Sequence, residues 1–190
     1  MISKTDLRST LRALRRRLAA EGVGAAEAAV RRLPPDGIGR FAQVAGYLPL
    51  GSEIDARPLM LWLAQAGAML ALPAVIAPDA PLEFRRWDQN ADLEPDALGV
   101  PAPPRVAPLA HPDLIIVPLL AFDRAGGRLG QGGGLYDRTL AALRQAGPVF
   151  ALGLAYAGQE LPEVSTEPHD QRLDAILTET EFISIARERG

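Results

Sequence analysis

The sequence predicts an α/β fold with a central mixed, largely parallel sheet and helices on both faces, and three observations carry that prediction. Residues 44–48, 56–66 and 69–72 read as strand, helix and strand, a βαβ unit whose crossover should be right-handed. Residues 113–118 form a continuous apolar run, the pattern of a strand covered on both faces. A glycine-rich loop, a helix over 135–146 and a further apolar strand over 149–154 then follow in order.

Each element has a local reason. Ser3 is placed to cap a first helix with Asp6 in its first turn. Leu7, Leu11, Leu14 and Leu18 fall at helical spacing on one stripe. At about 100° per residue, Lys4 lies within about 60° of that stripe and Arg8 sits at its edge. Arg12 and the run Arg15, Arg16 and Arg17 are assigned to a solvated face. A second helix over 25–33 should end at Pro34 and Pro35. Residues 82–87 alternate like a more exposed strand, 88–112 read as irregular, and 175–177 and 181–185 read as late edge strands. The 190 residues suit one domain with one sizeable core, spanning 1–190.

Composition narrows the function. A net charge of −3 offers no global field for nucleic acid, and the Arg-rich first helix lacks interleaved aromatic residues. No apolar run approaches the ~20 residues of a membrane span, and no signal-peptide core opens the chain. With no Cys, thiolate metal sites and Cys nucleophiles are excluded, and two His make a His-rich zinc site a poor expectation. The expectation is a soluble cytoplasmic monomer acting on a small molecule. Of the 20 basic residues only Lys4 is lysine, which singles it out as a site that wants a compact, flexible point charge.

The most informative stretch runs from Phe122 to Arg138. Six of the nine residues Gly126 to Gly134 are glycine, set between a buried strand and a helix N-terminus. That context exposes backbone N–H groups to an anion and adds the helix dipole. Arg128 supplies a fork of donors suited to phosphate, and Asp137 a carboxylate suited to Mg²⁺ beside phosphate oxygens. No Gly-Lys-Ser/Thr closes the loop, and Leu135 stands where the dinucleotide fingerprint needs its third glycine. Read alone, the segment is a phosphate cradle or a flexible surface loop.

The stretch Asp113 to Pro118, then Phe122-Asp123, then Gly127 to Arg138 resembles the signature of the 5-formyltetrahydrofolate cyclo-ligase (5,10-methenyltetrahydrofolate synthetase) family. Lys4-Thr-Asp-Leu-Arg8 resembles that family's N-terminal motif, and Tyr47 to Asp55 its substrate loop. Phe84 to Trp87 resembles its central strand, and His169-Asp170 with Leu173-Asp174 and Thr178-Glu179 its C-terminal segment. Three positions depart from the pattern. Leu135 replaces the first of two tyrosines, Gln131 a Tyr or basic residue, and Leu119 a Gly.

The resemblance implies a three-layer α/β/α fold akin to the sugar-phosphate isomerase and CoA-transferase group. It implies ATP- and Mg²⁺-dependent closure of 5-formyltetrahydrofolate to the 5,10-methenyl form, through phosphorylation of the formyl oxygen. Positioning and charge stabilisation then carry catalysis, with no side-chain nucleophile. Lys4 and Arg128 take catalytic roles. Nucleotide contacts fall to Lys4, Arg8, Arg128, Leu129, Gly130, Gln131, Gly132, Gly133, Gly134, Leu135 and Tyr136. The last six also face the folate, with Leu48, Glu53 and Trp87, though Trp87 reads equally as a core aromatic. Asp137 and Asp170 would hold Mg²⁺, Asp174 reads as structural, and neither His has an assigned role. The alternative is a folate- or phosphometabolite-binding relative of the same fold with little or no ligase activity.

Overall fold

The computed structural model describes residues 4–186; Ser3, and with it the expected cap, lies outside them. Helix α1 (Lys4–Glu21) and α2 (Ala25–Val30) open the chain, followed by β1 (Gln43–Ala45), α3 (Arg57–Gln65) and β2 (Met69–Ala74). Then come β3 (Glu83–Arg86), β4 (Glu94–Pro95), β5 (Pro101–Ala102), β6 (Leu114–Pro118), β7 (Ala121–Phe122) and β8 (Arg128–Leu129). The chain finishes with α4 (Leu135–Ala146), β9 (Phe150–Leu154), a 3₁₀ turn (Ala157–Gln159), β10 (Ala175–Leu177) and β11 (Phe182–Ser184).

Seven strands form one sheet in the order β11-β10-β9-β6-β1-β2-β3. The five central strands are parallel, and β3 and β11 close the edges antiparallel. Strand alternation sorts the core onto two faces. Val44, Leu114, Ile116 and Leu152 pack with Leu59, Met60 and Leu63 of α3 on one side. Ala45, Ile115, Val117 and Ala151 pack with Leu140 of α4 on the other. This is the three-layer arrangement, each apolar sheet face buried by helices.

From β1 the chain crosses through α3 to β2, and from β6 through α4 to β9, in opposite directions along the sheet. Adjacent β1 and β6 therefore form a topological switch point, where α/β sheets open a crevice beyond their strand C-termini.

The sequence expectations need three adjustments here, the first being that β1 ends at Ala45 rather than reaching residue 48. The second helix stops at Val30 and continues as turns rather than reaching residue 33. The stretch 88–112 is not wholly irregular, because β4 and β5 pair as a small antiparallel ribbon, and Ala110 N–H donates to Phe84 O beside β3. Leu11 of α1 packs with Leu120, Ala121 and Leu129, so the helix lies on the β7–β8 hairpin.

Candidate active site

A cavity of about 530 Å³ opens at the switch point. The C-terminal ends of β2 and β6 line it through Leu72, Pro73 and Pro118, and the loop after β1 adds Tyr47, Leu48 and Glu53. Its volume suits a substrate-sized ligand.

One wall is the glycine loop. Gly134 is the N-cap of α4 with φ 65°, no side chain among the described residues caps the helix, and its first turn lines the cavity, the setting in which helix N–H groups favour an anion. Gly132, with φ 107°, lies under Arg8; a Cβ there would meet Arg8 Cζ at 3.2 Å. Arg8 Nε donates to Gly130 O at 3.2 Å, which draws α1 down onto the loop. Arg128 is buried in β8. It donates to Asp137 Oδ1 at 2.7 Å and to Gln171 O. Burial lowers the Arg128 pKa, and the neighbouring Asp137 carboxylate acts against that shift.

The loop after β1 and the first turn of α4 add a carboxylate and two phenols. Glu53 Oε1 accepts from Arg15 Nη1 at 3.3 Å, and Oε2 from Leu50 N–H at 3.0 Å. Burial first, and then Glu53, pushes the Tyr136 pKa up, while Arg128 pulls it back. Tyr136 thus feels both the carboxylate and the guanidinium, and its phenol stays neutral. Tyr47 is raised by the same leading cause and donates to Ile54 O at 2.8 Å.

Asp137 and Asp170 both line the cavity, and both carboxylates act on Arg128. A Mg²⁺ site built from one or two carboxylates plus substrate phosphates needs this kind of donor pair. Asp137 Oδ1 also accepts from Gln171 N–H at 2.9 Å, and Asp170 Oδ2 from Glu167 N–H at 2.7 Å. Among the described residues no three or more His, Cys, Asp or Glu gather as a metal cluster. The pair therefore fits a phosphate-borne Mg²⁺ rather than a fully protein-caged ion.

Every residue singled out from the sequence lines this one cavity, with one exception. Lys4, Arg8, Leu48, Glu53, Arg128 to Asp137 and Asp170 all reach it. Trp87 does not. Because β3 runs antiparallel, its C-terminal end lies beside the start of β2, where Trp87 N–H donates to Leu70 O at 2.9 Å. Its ring packs against the α3-side core, at the far end of the strands from the cavity.

Two arginines correct the solvated-face assignment. Arg15 is 5% exposed and donates to Ser52 Oγ, Glu53 Oε1 and Leu119 O. Arg12 Nε donates to Gln131 Oε1 at 2.8 Å, so the unusual glutamine has a partner on α1. The signal for Arg15 was present: at about 100° per residue it lies between Lys4 and Arg8 around the helix, nearer the leucine stripe than Arg8. Glu167 was also missed; it pairs with Lys4 through Oε1, and its Oε2 lies 3.3 Å from His169 Nε2. No motif or spacing marks a lone loop acid of that kind.

Fold and site together define a doubly wound α/β protein whose cleft is lined by a glycine-rich helix N-terminus and a largely buried carboxylate. The sequence profile of the 5-formyltetrahydrofolate cyclo-ligase family matches residues 1–179. The chain is 35% identical over 187 residues to the 5-formyltetrahydrofolate cyclo-ligase of Mycolicibacterium smegmatis, covering 93% of each. It is 34% identical over 140 residues to the Escherichia coli cyclo-ligase, covering 71% of this chain and 76% of that one. The solved 5,10-methenyltetrahydrofolate synthetase of Aquifex aeolicus superposes with a TM-score of 0.73 at 26% identity, covering 98% of this chain and 95% of that one. The chain belongs to the 5-formyltetrahydrofolate cyclo-ligase family.

Proposed function

We propose that this chain closes 5-formyltetrahydrofolate to 5,10-methenyltetrahydrofolate, with ATP converted to ADP and phosphate. The observation that carries the reading is the shared cavity, which the glycine loop with its cations and the loop carrying Glu53 both line. Family membership supplies the reaction class.

The formyl group is amide-like, and its oxygen is a poor leaving group until phosphorylated. The formyl oxygen attacks the γ-phosphorus and ADP departs. N10 then attacks the formyl carbon, phosphate leaves with the oxygen, and loss of the N10 proton gives the methenyl bridge. Each step calls for alignment and charge stabilisation rather than a covalent enzyme intermediate.

In this reading the backbone N–H groups from Leu129 to Tyr136 cradle the phosphates, with Lys4, Arg8 and Arg128 matching their charge. Asp137 and Asp170 would hold Mg²⁺, which would neutralise charge on the phosphoryl group. Glu53 accepts the paired N–H edge of the pterin, and Leu48 and Tyr136 flank its flat face. Glu167 holds Lys4 in the free protein and yields it to phosphate.

The test is to mix purified protein with 5-formyltetrahydrofolate, ATP and Mg²⁺ and follow methenyl absorbance. ATP-dependent product is expected. Folate binding without product at high protein concentration would favour the binding-protein alternative instead.

A further inference from the structure

We infer that Arg15 is a positioning residue that aims the Glu53 carboxylate at the folate. The inference rests on the ligase reading above and deepens it.

An ionised carboxylate offers about four lone-pair sites. Arg15 Nη1 takes one on Oε1 at 3.3 Å, and Leu50 N–H takes one on Oε2 at 3.0 Å. One site on each oxygen is left, which is what two parallel N–H groups on a heterocycle edge require. The two side chains are 6% and 8% exposed, so neither charge can turn away to water.

The guanidinium is itself held by more than the ion pair. Its Nε donates to Ser52 Oγ at 3.2 Å, and Nη1 also reaches Leu119 O at 3.3 Å. Leu119 O accepts in turn from Gln159 Nε2 at 2.9 Å. Arg15 thus joins three segments: α1, the loop that carries Glu53, and the chain just after β6. A planar fork can serve several fixed acceptors at once, which a lysine ammonium on a flexible stem does not reproduce. Lys4 and Arg8 sit on the same side of α1 and line the same cavity, toward the phosphate wall.

The experiment compares wild type with Arg15→Met, Arg15→Lys, Glu53→Gln and the Arg15→Met/Glu53→Gln double variant. Melting temperatures accompany steady-state kinetics in each substrate. Arg15→Met should raise the folate KM roughly tenfold while the ATP KM stays within about twofold, and Arg15→Lys should recover part of the loss. Adding Glu53→Gln to Arg15→Met should cost far less than adding it to wild type, because the two act as one unit. An unchanged folate KM in Arg15→Met, equal rises in both KM values, or independent multiplication of the two losses overturns the inference. If Arg15→Met does not fold, Arg15→Lys decides: a wild-type folate KM in that variant is equally fatal. Wild type that makes no ATP-dependent product sinks the ligase reading on its own. The folate Kd of the same proteins, read by isothermal titration calorimetry, then settles the positioning role without turnover, and an unchanged Kd in the Arg15 variants rejects it.

Discussion

Lys4 shows how a single residue acquires a role. Its ammonium pairs with Glu167 at the cavity edge, and both side chains are more than two-fifths exposed. Such a solvent-screened pair adds little to folding. Lys4→Ala should therefore cut turnover by roughly 100-fold while shifting the melting temperature by no more than about 3 °C. A variant with normal kinetics would return Lys4 to an ordinary surface cation. The tyrosines allow a second check. All three have raised pKa values, with burial as the leading cause. They stay neutral in the folded chain at pH values where unfolded tyrosine ionises. Their contribution to stability is thus full below about pH 10 and is lost as pH climbs beyond it. An alkaline absorbance titration should show no phenolate rise near pH 10 until the chain unfolds. A rise that precedes unfolding would contradict the burial of Tyr47 and Tyr156.

At the scale of the element, the β7–β8 hairpin does more than carry glycine. Asp123 is 6% exposed; its Oδ1 accepts from Ala125 N–H and Gly127 N–H, both at 2.9 Å, and its Oδ2 from Val164 N–H at 2.8 Å. This carboxylate ties the turn to the segment beside it and so sets where β8 presents Arg128. Asp123→Ala should cost roughly 3 kcal/mol, read by urea unfolding, because two buried donors and one part-buried donor lose a charged acceptor. A loss under about 0.5 kcal/mol would show that the turn holds itself. The same scale explains which parts of the chain were readable. Helix α4 starts and ends where the sequence placed it, because a glycine run and Gly147 bound an amphipathic stretch. Trp87 was misplaced because alternation reveals a strand but not its direction. Only the antiparallel pairing of β3 with β2 carries the indole to the far end of the sheet.

For the whole molecule, the cavity lies where β1 and β6 diverge, so its walls come from α1, the loop after β1, the ends of β2 and β6 and the glycine loop. A ligand bridging those walls binds the folded chain and not the unfolded one. ATP with Mg²⁺ at about 100 times Kd should add about 2.7 kcal/mol, a melting shift of roughly 5–10 °C for a chain of this size. Removing Mg²⁺ with a chelator should abolish most of that shift if Asp137 and Asp170 hold a phosphate-borne ion. A shift that survives chelation would argue that the cations and backbone amides bind nucleotide alone. No helix among the described residues is long and apolar enough to cross a membrane.

The sequence by itself determined the local chemistry: the leucine stripe of α1, the glycine loop before α4, the apolar strands and the motif residues that prove to share one cavity. Those features rest on periodicity, backbone freedom and spacing, which neighbouring residues encode. Tertiary structure decided what depends on segments far apart in the chain. It fixed the direction of β3, which removed Trp87 from the site, and the meeting of α1 with the Glu53 loop. That meeting turned Arg15 from an assumed surface charge into a buried one. A guanidinium on the edge of an apolar stripe can face water or the core, and only a carboxylate 38 residues away made the core the better place.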